Sequence, residues 1–207
     1  MIIRDLDKYR IILASRSPRR QELLRELGLT FEVVVREWPE VYPGRLKGEE
    51  IALYLASEKA VTFRPEVQDN EIVITADTIV WCDDHVLDKP VDRKDALRII
   101  REISGNTHQV ITGVSLLSSV KQTTFCSLTK VTFSELSDEE IEFYIYKCNP
   151  YDKAGAYGIQ EWIGLAACTR IEGSYFNVMG LPVEQVYHEL QKFIAPTIMQ
   201  NNISELI

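Results

Sequence analysis

The amino-acid sequence predicts an α/β fold of mixed α+β character, with helices flanking a mixed β-sheet. Short apolar runs typical of strands alternate with segments of helical periodicity along the chain. Two longer β-rich runs, at 71–82 and 107–135, are followed or interrupted by turn signals, so we expect hairpins among the strands. Hydrophobic residues make up 45% of the 207 residues, which is enough for a sizeable core.

The first half of the chain is predicted to open with a strand and a capped helix. Ser17 has the residue type of an N-cap, Pro18 suits the first helical position, and Gly28 supplies the stop. The β-rich run at 71–82 is expected to be broken or bent around Asp77. The other predicted elements are strands at 10–14 and 31–35, a helix at 49–63, and a tight turn with a short return strand at 83–90.

The second half is predicted to combine helices with a long hairpin. Asp92 is expected to cap a helix that ends at Ser104–Gly105. Ser137 and Glu140 form a capping box before a helix that reaches about residue 147. The remaining predictions are a hairpin at 107–135 with a break near 118–122, a small-residue loop at 152–160, a strand at 165–171 and a last helix at 182–194.

The charge balance restricts the kinds of partner. The chain carries a net charge of −8 at pH 7 and has a pI near 5.0. Nucleic acid and anionic membrane surfaces are therefore disfavoured as partners, because both require clustered positive charge on the protein. No run approaches the roughly 18 apolar residues of a membrane span. An anionic ligand would have to bind in a local basic pocket.

Domain organisation and compartment are inferred from the same composition. No composition break marks a linker, so residues 1–207 are expected to form a single domain with a polar, mobile tail at 196–207. The first ten residues carry charges where a signal peptide needs apolar side chains. The four cysteines are widely spaced, which favours reduced thiols and a cytoplasmic location. The sequence leaves a homodimer open.

Three arginines follow the first predicted strand at an unusual place. Arg16, Arg19 and Arg20 flank the start of the first helix, where the helix dipole disfavours each cation by roughly 0.3–1 kcal/mol. Together with Ser15 and Ser17, they suit a bound phosphate that accepts hydrogen bonds from free backbone N–H groups and guanidinium groups. Solvated arginines on a capped surface helix are an equally weighted alternative.

Four further charged residues are candidates for the same site. Asp77, with Thr78 beside it, lies at or near the end of an apolar strand, where α/β proteins often place chemistry; a turn residue is the commoner explanation of a lone Asp. The alternative for Lys59 is a lysine that snorkels from an apolar helix face, for Lys89 a turn lysine in solvent, and for Glu40 a solvated loop acid. Lysine and arginine neutralise phosphates, whereas carboxylates hold hard divalent cations such as Mg²⁺ or Mn²⁺. The combination therefore predicts a metal-assisted phosphate site.

The motifs together show a family resemblance. The chain resembles the Maf-type nucleoside triphosphate pyrophosphatases over roughly residues 10–190. Six blocks occur in the order and spacing of that family: LASRSPRRQELLRELG, TADTIV, LDKP with Asp92, SGNTHQVITGV, DKAGAYGIQ and IEGSYFNVMGLP. The resemblance implies an elongated mixed sheet of the inosine-triphosphatase-like type, with two lobes around a deep cleft. It also implies metal-dependent hydrolysis of a nucleoside triphosphate to the monophosphate and pyrophosphate.

The resemblance implies roles for individual residues. Asp77 would be the catalytic residue, which activates water or holds the divalent metal, Mg²⁺ or Mn²⁺. Glu40 matches the loop glutamate of the family and would be a second metal ligand. The positions that bind the triphosphate are matched by Ser15, Arg20, Lys59 and Lys89.

Three residues indicate the branch of the family. Arg19, Thr78 and Gln160 resemble the branch that acts on dTTP and UTP, and the substrates would include modified pyrimidine nucleotides. Two alternatives stay open. One is a non-catalytic nucleotide- or nucleic-acid-binding regulator of cell division and septum formation, and the other is a pyrophosphatase for another base, such as 7-methyl-GTP.

Overall fold

One mixed sheet organises the part of the chain that the computed structural model describes, residues 5–195. Its strands are β1 (Arg10–Leu13), β2 (Glu32–Val33), β3 (Glu71–Cys82), β4 (His85–Leu87), β5 (Thr107–Leu117), β6 (Gln122–Phe133) and β7 (Cys168–Glu172). They are ordered β2-β1-β3-β5-β6-β7, and β4 pairs with β3. β1 is parallel to β2 and β3, whereas the other pairs are antiparallel. The predicted mixed sheet is therefore confirmed.

Helices flank the sheet, and several begin at the predicted caps. Side chains of Ser17, Asp92 and Ser137 accept hydrogen bonds from the first turns of their helices, and Ser137 and Glu140 form the expected capping box. No described helix combines the length and the apolar composition needed to cross a bilayer. The helices are α1 (Pro18–Glu26), α2 (Glu49–Val61), α3 (Arg93–Ile103), α4 (Asp138–Cys148), α5 (Trp162–Ala167), α6 (Tyr175–Met179) and α7 (Val183–Ile194), with 3-10 turns at Leu6–Lys8, Pro150–Asp152 and Ala154–Ala156.

Some predicted elements differ in the structure. The run at 71–82 is predicted to be broken or bent around Asp77. β3 pairs with β5 at every position from Val73 to Trp81, so the strand is not broken there. Of the strand predicted at 31–35, Glu32–Val33 is the part that pairs. The predicted strand at 165–171 begins later, at Cys168, because the preceding Leu-Ala-Ala is helical in α5 and consists of strong helix formers. The predicted tail at 196–207 lies outside the described residues.

A polar position divides the apolar core on one face of the sheet. On this face of β3, residues up to Ala76 pack with α1 and α7, whereas residues from Val80 onward pack with α3 and α4. Between them lies Thr78, whose hydroxyl oxygen is 2.9 Å from that of Thr112 on β5. Two apolar clusters therefore lie on either side of Thr78.

Helix α2 covers the opposite face of the sheet. The hydroxyl of Thr75 on β3 donates to the carbonyl oxygen of Ala56 on α2 at 2.6 Å. Gly113 on β5 is the cross-strand partner of Asp77. A Cβ at residue 113 would overlap the carbonyl group of Ala52, so glycine is required for the close approach of α2.

The edge of β3 is uncovered in its middle. β1 pairs with residues 71–74 of β3, and β4 pairs with Val80–Cys82. Neither strand reaches residues 75–79 on this edge. The carbonyl oxygen of Ile74 accepts a hydrogen bond here from the Ala14 N–H at 2.9 Å, so backbone groups of even-numbered residues point to this edge. Such groups require partners other than a neighbouring strand.

Candidate active site

Arg20 occupies the gap in the edge of β3. Its guanidinium donates to the carbonyl oxygens of Ala76 and Gly180, both at 2.8 Å. It also donates to the hydroxyl of Thr78 at 2.9 Å and to that of Ser15 at 3.4 Å. Burial lowers the pKa of Arg20, yet a guanidinium stays protonated in proteins. Most of its N–H groups are thus held by protein acceptors, and its positive charge is fixed in the gap.

A chain of alternating charges extends from the gap. The ammonium nitrogen of Lys59 lies 3.6 Å from a carboxylate oxygen of Asp77 and 3.8 Å from one of Glu40. The other carboxylate oxygen of Glu40 lies 3.4 Å from the ammonium nitrogen of Lys89. These residues come from β3, α2 and two loops, so the fold brings together charges that are distant in sequence.

Asp77 is the most buried carboxylate of this group, with 8% of its surface exposed. Burial raises the pKa of Asp77 above the ordinary aspartate value, whereas the positive charges of Arg20 and Lys59 lower it. The net shift is upward. A carboxylate with a raised pKa is a stronger base than an exposed one, which suits proton abstraction.

The loop before α1 borders the same gap. Ser15 is buried, and its hydroxyl oxygen accepts a hydrogen bond from the Ser17 N–H at 3.2 Å. The hydroxyl of Ser17 in turn accepts one from the Arg20 N–H at 3.5 Å. Arg16 is exposed beside them. The two serines therefore fix the turn that places the predicted arginines next to β3.

Two adjoining cavities meet at these charged residues. The first cavity has an apolar wall that includes Val80, Tyr157 and Met179. The second cavity is basic, and Arg16 and Lys59 are among the residues that line it. The residues that line both cavities are Ser17, Arg19, Arg20, Glu40, Lys89 and Asp152.

The match to a family model decides which family the sequence represents. The model, described as Maf-like protein, matches residues 10–193. This chain belongs to the Maf family. The matched range contains all the residues that line the two cavities, so the candidate active site lies wholly within the Maf region.

Curated relatives of this Maf-family protein cover nearly the whole chain. A protein of Phocaeicola vulgatus named dTTP/UTP pyrophosphatase is 54% identical over 192 residues, which are 92% of this chain and 100% of the relative. A Flavobacterium johnsoniae protein of the same name is 49% identical over 194 residues, which are 94% of this chain and 100% of the relative.

Two solved structures show a weaker likeness to this Maf-family protein. A nucleoside-triphosphatase, or dITP/XTP pyrophosphatase, from Mycobacterium abscessus has a TM-score of 0.40 and 17% identity, covering 62% of this chain and 74% of that chain. The Staphylococcus aureus Ham1 protein has a TM-score of 0.42 and 13% identity, covering 62% and 72%. At these TM-scores the likeness carries no weight for fold or function.

The Maf fold brings the sequence-predicted site residues to one region. Seven of them form the contacts around Arg20 and Lys59 described above. Gln160 and Arg19 line the first cavity, and Arg19 donates a hydrogen bond to a carboxylate oxygen of Asp152 at 3.0 Å. The residues brought together are Ser15, Arg19, Arg20, Glu40, Lys59, Asp77, Thr78, Lys89 and Gln160.

Two charged residues of this Maf-family site were missed by sequence reasoning. Asp152 lines both cavities, and Lys153 lines the first cavity with 7% of its surface exposed. The available signal was the Asp-Lys pair that opens DKAGAYGIQ.

Asp77 and Glu40 fit a divalent cation. Their carboxylates face one ammonium group, that of Lys59, at 3.6 and 3.8 Å, so their oxygens already converge on a positive charge. One or two carboxylates combined with substrate phosphates is the usual ligand set of Mg²⁺ in phosphate-handling sites. The residues present therefore suit the predicted metal.

Another group of metal-ligating atoms lies outside this site. Cys82, Asp83 and Glu102 place ligand atoms within 4.8 Å of one another near the turn between β3 and β4. Glu102 already pairs with His85 at 2.7 Å and with Arg98 at 3.3 Å. None of these residues lines either of the two cavities, so the group does not correspond to the predicted metal site.

Proposed function

We propose that this protein hydrolyses dTTP and UTP to the nucleoside monophosphate and pyrophosphate. The convergence of two carboxylates, Asp77 and Glu40, with Arg20, Lys59 and Lys89 at one crevice carries the proposal. These cations neutralise phosphates, while the carboxylates handle a metal and a water molecule. The names of the relatives at 54% and 49% identity support the same reaction.

The two cavities suit the two ends of such a substrate. The triphosphate would lie in the basic second cavity, near Ser15 and Lys59, and the nucleoside would lie against the apolar wall of the first. Arg20 and Lys89 line both cavities, so the α-phosphate would lie where the cavities meet. Asp77 lines the first cavity at this junction.

The chemistry uses Asp77 as a general base. It takes a proton from the water that attacks the α-phosphorus, and pyrophosphate is the leaving group. The burial that raises the pKa of Asp77 makes the carboxylate a better proton acceptor. Arg20, Lys59 and Lys89 stabilise the negative charge on the phosphates in the transition state.

A Mg²⁺ or Mn²⁺ ion would be held by Asp77 and Glu40 together with substrate oxygens. A carboxylate about 4 Å from a phosphate charge is repelled by about 4 kcal/mol at an effective dielectric constant of 20, and a bound divalent cation would offset that repulsion.

The cytoplasmic location, the homodimer and the single domain over 1–207 stay predictions.

Selectivity for pyrimidine nucleotides would depend on Arg19, Thr78 and Gln160. Thr78 is held by Arg20 and Thr112, so its hydroxyl has a fixed position beside the first cavity. Arg19 and Gln160 approach that cavity from separate elements. Modified pyrimidine nucleotides would enter the same cavity.

A panel of nucleotides tests the proposed function. Purified protein would be incubated with Mg²⁺ or Mn²⁺ and with UTP, dTTP, CTP, GTP, ITP or 7-methyl-GTP, and products would be separated by chromatography. We expect the highest kcat/KM for UTP and dTTP, equal amounts of pyrophosphate and monophosphate, and loss of turnover with EDTA. Release of orthophosphate and diphosphate, or binding of UTP without turnover, would contradict the proposal.

A further inference from the structure

We propose that Lys153 is a positioning residue that sets nucleobase selectivity by connecting two walls of the first cavity. The inference rests on the proposed function, because selectivity among nucleotides is its readout. It concerns a residue outside the group of charges around Asp77, and it requires no contact between Lys153 and the substrate.

Lys153 is a buried cation between two carboxylates. Its side chain is 8% exposed, and its ammonium nitrogen lies 2.8 Å from Asp152 and 3.1 Å from Glu161. Lysine is almost never this buried unless it is paired. The side chains of Asp152 and Glu161 are 59% and 22% exposed, so Lys153 is the buried member of both ion pairs. Burying its charge costs desolvation energy that an apolar side chain would avoid, which points to a role for this lysine in holding the two carboxylates.

The first carboxylate orients Arg19. One oxygen of Asp152 binds Lys153, and the other accepts a hydrogen bond from Arg19 at 3.0 Å. Although burial raises the pKa of Asp152, the hydrogen bonds from Lys153 and Arg19 bring it below the ordinary aspartate value. The carboxylate therefore stays charged while it joins Lys153 to the first turn of α1.

The second carboxylate fixes the loop that carries Gln160. One oxygen of Glu161 faces Lys153, and the other accepts a hydrogen bond from the Tyr144 hydroxyl. That hydroxyl oxygen accepts a hydrogen bond from the Gly158 N–H at 3.0 Å, and the Glu161 N–H donates to the Gly158 carbonyl at 3.0 Å. Gln160 lies within this loop, so its backbone is held at both sides.

Lys153 thus connects two paths, each a series of ion pairs and hydrogen bonds, that end at different residues. One path ends at Arg19 on α1, and the other ends at the loop of Gln160, and both residues line the first cavity. Without the positive charge, the carboxylates of Asp152 and Glu161 would lose their shared partner and repel each other. The distance between Arg19 and the loop of Gln160, which form two walls of the first cavity, would then be less well defined.

The Lys153→Met variant tests the proposal, with Lys192→Met as a matched control on an exposed ion pair of α7. Steady-state kinetics would be measured with UTP, dTTP, CTP and GTP. For Lys153→Met we expect KM for UTP to rise about tenfold, the ratio of kcat/KM between UTP and GTP to fall about tenfold, and kcat to change little. Lys153→Arg, which keeps the positive charge, should retain part of the wild-type ratio of kcat/KM between UTP and GTP. Lys192→Met should have the wild-type KM and the wild-type ratio.

Several results would overturn the proposal. An equal loss of kcat/KM for every nucleotide would show a general structural role, and an unchanged ratio would show no role in selectivity. If Lys153→Met does not fold, Asp152→Asn and Glu161→Gln each interrupt one path, and each should lower the ratio. Wild-type ratios in both of these variants would also overturn the proposal.

A binding measurement separates this inference from the proposed function. If the wild type hydrolyses no nucleotide, Kd values for α,β-methylene analogues of UTP and GTP would be measured by calorimetry. A ratio of Kd values that falls in Lys153→Met would support the positioning role while the hydrolase proposal fails. Equal ratios in the two proteins, or no binding of either analogue by the wild type, would overturn the positioning role as well.

Discussion

The ammonium group of Lys59 lies 3.6 Å from the carboxylate of Asp77 and so couples the protonation of this acid to a residue on α2. The same ammonium group is 3.8 Å from Glu40. One ammonium group therefore forms ion pairs with two carboxylates of the candidate site before any substrate binds. Changes at Lys59 should affect both the binding of phosphate and the basicity of Asp77.

Replacement of Asp77 by asparagine should abolish turnover and leave the fold intact. Loss of a general base typically lowers kcat by about 10²–10⁴-fold. Asparagine removes a buried charge, and Lys59 keeps Glu40 as a partner, so we expect no large loss of thermal stability. Pyrophosphate release and thermal unfolding would be measured side by side.

The control for this variant is Asp69→Asn, which makes the same chemical change at an exposed residue before β3. It should retain the wild-type kcat. Full activity of Asp77→Asn would refute the role of this carboxylate in the reaction.

Replacement of Lys59 by methionine should shift the pH dependence of activity. The active form of Asp77 is the carboxylate, so kcat falls as the pH decreases through the pKa of Asp77. Burial raises this pKa and Lys59 lowers it, so removal of Lys59 should move the acidic limb of the profile to higher pH. KM for UTP should also rise about tenfold or more, because a charge-assisted contact is lost.

Lys47→Met serves as the matched control, because Lys47 forms an exposed ion pair with Asp84 at 2.7 Å. Its kcat profile against pH should overlay that of the wild type. An acidic limb that stays in place, or moves to lower pH, in Lys59→Met would be incompatible with the proposed coupling.

Replacement of Gly113 by alanine should destabilise the protein severely. The new Cβ would overlap the Ala52 carbonyl group, which is backbone within α2 and cannot rotate away. We expect a loss of about 3 kcal/mol or more in the free energy of unfolding, or failure to fold. Gly44→Ala is the control, since nothing lies within 4 Å of its added Cβ, and it should change stability by about 0.5 kcal/mol or less. Urea unfolding would compare the variants, and equal midpoints would contradict the expected overlap.

His108 should make the stability depend on pH below neutrality. Burial lowers the pKa of His108 from 6.5 to about 4, and the side chain is 1% exposed. Between these two pH values the unfolded chain binds a proton that the folded protein does not, so the free energy of unfolding falls as the pH decreases. At about 1.4 kcal/mol per pKa unit, the loss across the window is about 3 kcal/mol.

The His108→Gln variant should flatten this dependence. Its stability will be lower at neutral pH, because it loses the edge-to-face contacts with Phe133 and Tyr157. The informative quantity is the slope of unfolding free energy against pH, obtained from urea unfolding at several pH values. His188→Gln, a change at an exposed histidine, should keep the wild-type slope. Equal slopes in His108→Gln and the wild type would show that His108 does not cause the pH dependence of stability.

The fold could be predicted where its determinants are local. Ser17, Asp92 and Ser137 cap helices with their own side chains. Such caps can be recognised from a few consecutive residues. Helix α6 is five residues long and depends on Ser174, whose backbone bonds to Thr129 on β6. A helix this short shows no periodicity, and its stabilising contact is distant in sequence.

The types of the site residues could be predicted from the sequence, but the position of the site in the sheet could not. Asp77 was expected near a strand end, whereas it lies in the middle of β3, at the point where β1 has ended and β4 has not begun. This gap is a consequence of strand register, which the residues around Asp77 do not encode. The family resemblance implied the roles of the site residues, and the register explains why they meet there.

The position of Asp77 and Thr78 inside a continuous strand limits how the chain length can vary. Adjacent residues of a strand face opposite sides, so an insertion of one residue between 75 and 77 would turn the carboxylate to the opposite face of the sheet and away from Lys59. A surface loop such as the segment before α2 can absorb such a change by bulging outward. Homologous chains should therefore differ in length at their loops while the segment from Thr75 to Ile79 keeps a constant number of residues.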